Sequence, residues 1–79
     1  MERKEIESRL LPLVRDAFKD DALELSDGLN ASSVEGWTSL SFMQLLERIE
    51  AEFGFRFKVF ELLGINNLGG LIDAIGKHC

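Results

Sequence analysis

A chain of 79 residues, 46% apolar and 29% charged with a single proline, is long enough for one hydrophobic core and too short for a multi-domain enzyme, so one domain over 1–79 is expected. One cysteine, Cys79, and one histidine, His78, exclude an internal disulfide framework and a zinc cluster, and apolar packing has to hold the fold unaided. Of the net charge of −5, residues 20–53 hold eight acids against one base while each flank carries one excess positive charge, a field of the wrong sign for nucleic acid but attractive to proteins with basic patches.

The chain begins MERKEIESRL, charged from its second residue and therefore unlike a secretory signal, and no apolar run approaches a membrane span. A cytoplasmic monomer with no membrane partner is expected. Ile6, Leu10, Leu13, Val14, Ala17 and Phe18 recur at helical spacing and predict an amphipathic helix over about 3–19. Pro12 lies inside it, where a missing N–H costs about 3 kcal/mol in a helix interior, and a kink or a displaced start is expected. Residues 20–38 show no sustained period and contain Asp27-Gly28 and Gly36 as turn signals, with Leu23, Leu25, Leu29 and Val34 spaced along them as apolar anchors. This is a long ordered loop, read either as a passive crossover or as a functional segment.

Residues 39–53 carry the clearest pattern, with Phe42, Leu45, Leu46, Ile49 and Phe53 on one face. Thr38 or Ser39 is placed to cap the first turn, Ser41 and Gln44 offer a further pairing, and Gly54 can end the helix in the left-handed conformation. Phe42, Leu45, Ile49 and Phe53 are expected in the core with Ile6, Leu10, Leu71, Ile72 and Ile75. Residues 55–63 fit either an alternating strand or a short helical turn near 58–63. Asn66 and Asn67 then open a last helix over about 67–77 with Leu68, Leu71, Ile72 and Ile75 as its stripe, weakened by Gly69 and Gly70.

No catalytic constellation is visible. His78 and Cys79 end the chain, where fraying rather than a site is expected, and neither has an evident partner. Scattered carboxylates on a helix face are ordinary solvated charge, and no metal set is expected. The outward face of the central helix is more informative. At about 100° per residue, Leu40 and Met43 point away from Phe42 and lie among Glu47 and Glu50. The plain account has Leu40 under the loop and Met43 at the core edge. The alternative is a docking patch, with apolar contacts ringed by acids that steer a basic partner.

Gly36-Trp37-Thr38-Ser39-Leu40, the helix SFMQLLERIEAEFG, then FRF and finally INNLGGLIDAI resemble the acyl carrier protein family over residues 3–77. The family's hallmark is a serine after an aspartate and before a leucine at the start of its second helix, and Ser39-Leu40 matches it, as Glu50-Ala51-Glu52-Phe53-Gly54 matches the end of that helix. The resemblance implies an all-α three-helix bundle with one short extra helix before the last, which favours helix for 58–63. It also implies a carrier rather than an enzyme. Ser39 would receive 4'-phosphopantetheine from coenzyme A through a phosphopantetheinyl transferase, and the arm would carry acyl or aminoacyl groups as thioesters to acyl-loading and acyl-processing enzymes with basic docking patches. Thr38, Leu40, Met43, Glu47 and Glu50 would form the docking surface. Where the family places aspartate and further acids, this chain has Thr38, Ser41 and Gln44, which points away from ordinary fatty-acid synthesis and towards a dedicated pathway. A small helical adaptor that keeps the fold and binds basic partners without being loaded is the other reading.

Overall fold

The computed structural model describes residues 1–79, with four helices in the order α1 Arg3–Phe18, α2 Ser39–Phe53, α3 Val59–Leu63 and α4 Leu68–His78 and no strand. The expected all-α architecture, with its short extra helix before the last, is what the chain adopts. The segment that fits both strand and helix resolves into a non-helical stretch at 55–58 and the single-turn helix α3. Helix α1 packs against both α2 and α4. Their apolar stripes meet in one core whose fully buried side chains are Ile6, Leu10 and Val14 from α1, Leu45 and Ile49 from α2, and Leu68, Leu71 and Ile75 from α4. Phe42 and Phe53, expected inside, are half-buried and pack on the core's edge instead. The residues at the centre of the α2 stripe take the interior and the large rings at its ends seal the margins.

Helix α1 starts at Arg3 and runs uninterrupted through Pro12, so the displaced start does not occur. Pro12 and Ser8, whose carbonyl loses its intrahelical donor, both lie on the exposed face, so the freed carbonyl is not left in the core. The helix ends one residue earlier than expected because Lys19 adopts the left-handed conformation, φ 54°, with its N–H on the last turn's carbonyls. Gly54 ends α2 in the same way, with φ 75°. No helix is long and apolar enough to cross a membrane.

The loop between α1 and α2 is ordered by its apolar anchors and by hydrogen bonds. Leu23, Val34 and Trp37 are buried and Leu25 and Leu29 pack on the core. Arg15 Nε donates to the Leu23 carbonyl at 2.8 Å. The first N–H groups of α4 have no partner within their own helix, and the loop supplies one for each: Leu68 N–H donates to Leu29 O at 2.9 Å and Gly69 N–H to Asp27 O at 3.0 Å. Asn67 caps the next turn by accepting from Gly70 N–H at 2.8 Å. Loop and last helix thus close on each other and hold the crossover in one path.

The end of the chain is not frayed, contrary to the expectation for His78 and Cys79. His78 belongs to α4, its Nε2 lies 2.9–3.0 Å from both Glu61 carboxylate oxygens, and its ring stacks on Phe55 at 4.4 Å. Cys79 is half-buried against the core, and the Met1 ammonium donates to its carbonyl at 2.8 Å. Glu61 also accepts the Lys58 N–H at 2.8 Å. The Lys58 N–H first, and the His78 ring after it, hold the Glu61 carboxyl below the usual carboxylate range. Helix α3 buries no side chain, so this clasp ties it to the bundle.

Candidate functional site

The start of α2 is fixed by a reciprocal cap. Thr38, in extended backbone at φ −113° and ψ 173°, accepts the Ser41 N–H on Oγ1 at 3.1 Å, and Ser41 Oγ accepts the Thr38 N–H at 2.8 Å. Of the two residues the sequence offers as cap, Thr38 takes the role and leaves Ser39 as the first helical residue. Ser41 pairs backwards with Thr38 rather than forwards with Gln44, which stays exposed. The Ser41 hydroxyl donates in turn to the Gly36 carbonyl at 2.7 Å.

Gly36 sits where no other residue fits without movement, since a Cβ there would lie 2.1 Å from the Phe18 carbonyl oxygen. The turn before α2 is therefore pressed onto the last residue of α1. Aromatic stacking reinforces the junction: Trp37 lies between Phe18 at 5.0 Å and Phe42 at 5.5 Å. The tryptophan carries part of the resemblance in the sequence, but its place as the middle of a three-ring stack depends on a tertiary approach that local periodicity does not encode.

Ser39 is exposed and its hydroxyl takes part in no hydrogen bond. The N–H groups of Ser39 and Leu40 likewise have no acceptor. No acid stands in the first turn. A phosphate joined to this hydroxyl would meet free N–H donors and the positive end of a 15-residue helix, so the residues present fit a phosphodiester. A groove of about 580 Å³ opens alongside, between the end of α1 and the start of α2, with Lys19, Thr38, Leu40 and Gln44 on its walls. Two other serines are less available, Ser41 at only 9% exposed and Ser33 with its hydroxyl engaged with Asn30, while Ser8, Ser26 and Ser32 are exposed but do not stand at the start of α2.

Among the expected docking residues, Leu40 and Met43 are 66% and 59% exposed, so neither lies beneath the loop nor pads the core. Thr38 and Glu47 are exposed too. Glu50 is different: it is half-buried, and Oε2 accepts the Phe57 N–H at 2.8 Å. Its carboxylate braces the segment leading to α3. Sequence reasoning missed the outward side of α3, where Val59, Phe60 and Leu63 are exposed. The alternation of FRFKVF hid that face, because it fits a strand as well as a helix.

The family model described as the phosphopantetheine attachment site matches residues 8–75. The chain belongs to this family. Among solved structures it is similar to the solution NMR structure of the holo acyl carrier protein from Geobacter metallireducens, at 32% identity and a TM-score of 0.84, covering 90% of this chain and 82% of that one. No curated protein sequence matches the chain. The protein is a carrier rather than an enzyme, its prosthetic group is 4'-phosphopantetheine, and its fold is that of the acyl carrier proteins. Carriers of this kind work with transferases and acyl-processing enzymes.

Proposed function

We propose that this carrier holds acyl or aminoacyl intermediates as thioesters on a phosphopantetheine arm joined to Ser39, as a cytoplasmic monomer serving a dedicated biosynthetic pathway. One observation carries the assignment of the serine: an exposed hydroxyl free of hydrogen bonds, next to two free N–H groups, at the start of the helix. In loading, Ser39 Oγ gives up its proton and bonds to the phosphorus of the phosphopantetheine while the diphosphate bond of coenzyme A breaks and the adenosine bisphosphate leaves. The arm then supplies a terminal thiol for thioester chemistry. Leu40 and Met43, beside Thr38 and Glu47, offer the apolar contact to partner enzymes, and Glu47 supplies charge for a basic rim.

The test is intact-mass measurement after incubation with coenzyme A, magnesium and a permissive phosphopantetheinyl transferase, followed by peptide mapping. A gain of one phosphopantetheine located on Ser39 is expected. Location on Ser32, Ser33 or Ser41 would overturn the assignment, and no gain with an intact fold would favour the unloaded adaptor.

The neutral first turn supports a dedicated rather than general pathway. Thr38 caps the helix, as an aspartate would, but offers a basic loading enzyme no charge. A steering charge at an exposed helix start is worth about 0.3–1 kcal/mol, and salt screens it. Thr38→Asp keeps a side-chain oxygen for the Ser41 N–H, so it should leave the fold intact and raise the initial loading rate several-fold at low ionic strength, with the gain shrinking as salt is added. Equal rates for both proteins at low salt would remove the main support for a carrier tuned away from general enzymes.

A further inference from the structure

We infer that Ser41 is a positioning residue for the loading of Ser39, an inference that rests on Ser39 being the attachment site. In a chain whose central segment is strongly acidic, this position two residues into the helix from Ser39 bears a hydroxyl that faces inward. Ser41 Oγ is the one acceptor of the Thr38 N–H, at 2.8 Å, and its proton goes to the Gly36 carbonyl at 2.7 Å. Gly36 in turn rests against the Phe18 carbonyl. The side chain therefore spans the turn from both sides: it holds Gly36 on the end of α1 and Thr38 in the extended conformation from which Ser39 enters the helix.

The Ser39 hydroxyl makes no hydrogen bond that would fix it, so where it is presented depends on the backbone at 36–39. A transferase that needs the hydroxyl at one place reads a preset turn in this protein. Without the tie, the turn samples other conformations, and the apparent affinity for the enzyme falls by the fraction of chains that remain competent. The expected signature is thus in KM for the apo carrier rather than in kcat, because the bound complex restores the same geometry. The same bonding also sets the two nearby serines apart, since Ser41 is only 9% exposed and its oxygen already accepts the Thr38 N–H, which makes it a poor nucleophile for a bulky donor.

The experiment compares wild type, Ser41→Ala and Ser41→Thr in loading by a permissive transferase at saturating coenzyme A, alongside amide exchange measured by NMR on the apo proteins. Each variant is assayed at a temperature where circular dichroism reports it fully folded. Ser41→Ala is expected to raise KM about threefold to tenfold with kcat within twofold of wild type, and to speed exchange at Thr38 while Leu45 and Ile49 stay protected. Ser41→Thr, which keeps the hydroxyl, is expected to restore both. A loss of protection at Thr38 with KM unchanged would overturn the inference, since the brace would then be structural only. A fall in kcat alone would overturn it as well. Failure of wild type to be modified on Ser39 would defeat the attachment reading itself and is distinguishable, because it shows in the mass before any variant is compared.

Discussion

Ser39→Ala is expected to abolish phosphopantetheine attachment completely while leaving the fold as stable as before or slightly more so. The chemical half follows from the nucleophile: alanine has no oxygen to bond to phosphorus, and neighbouring hydroxyls are committed. Thr38 Oγ1 accepts from Ser41 N–H, and Ser41 Oγ donates to Gly36. The structural half is the more discriminating. Because Thr38 and not Ser39 caps α2, the substitution removes no hydrogen bond, and alanine is a better helix former than serine by a few tenths of a kcal/mol. The urea midpoint should therefore hold or rise slightly while the mass gain vanishes. A marked fall in stability would mean that Ser39 has a role in the cap, and residual attachment to the variant would place the arm elsewhere.

Much of this architecture is legible in the spacing of residues along the chain. The stripes of α1, α2 and α4 and the stop at Gly54 depend on local periodicity and backbone preference, and the fold has the helices within a residue of the expected bounds, although Phe42 and Phe53 lie at the margin of the core rather than inside it. The same holds for the anchors of the long loop, whose leucines and valine have no helical period and yet are too apolar to be left in water. The site is legible only in part. Ser39 stands out through its context, but whether Thr38 or Ser39 caps the helix is decided by the backbone at 36–38, which depends on Gly36 meeting α1. Glu50 shows why surface patterns mislead: on a helical projection it is an outward acid, and only the path of residues 54–58 brings the Phe57 N–H onto it. His78 is the same case at the chain's end. A lone terminal histidine reads as frayed until α3 delivers Glu61, and Phe55 its ring, to the last turn of α4.

These particulars separate two kinds of surface on α2. Positions that face the loop and the α3 segment, Ser41 and Glu50, have polar groups used within the chain. Positions that face outward, Ser39, Leu40, Met43 and Glu47, have no internal partner. The division follows the geometry of the neighbouring segments rather than residue type, and the loss of an outward-facing side chain should not disturb the fold.

The junction beneath that surface is where a single methyl group should do most damage. Gly36→Ala places a Cβ 2.1 Å from Phe18 O and 3.0 Å from Phe18 C, and both are backbone atoms at the end of a helix, unable to swing aside as a side-chain tip would. Either the last turn of α1 or the turn before α2 has to shift, and both are locked by the Phe18–Trp37–Phe42 stack. Overpacking of this kind costs about 1–3 kcal/mol, and the upper end is expected here because the clash is far inside contact distance. For a domain of this size about 3 kcal/mol lowers the melting temperature by roughly 12–24 °C. Gly28, in the same loop, is the control: a Cβ there meets nothing within 4 Å. Gly28→Ala should hold stability or improve it by up to about 1 kcal/mol through a less flexible unfolded chain. Parallel urea titrations of the two variants decide the matter. Equal midpoints would show that the approach of Gly36 to α1 is not what sets the loop, whereas a steep loss at Gly36 alone, together with slowed loading of Ser39 in whatever fraction stays folded, would mark this contact as the one on which the presentation of the serine is built.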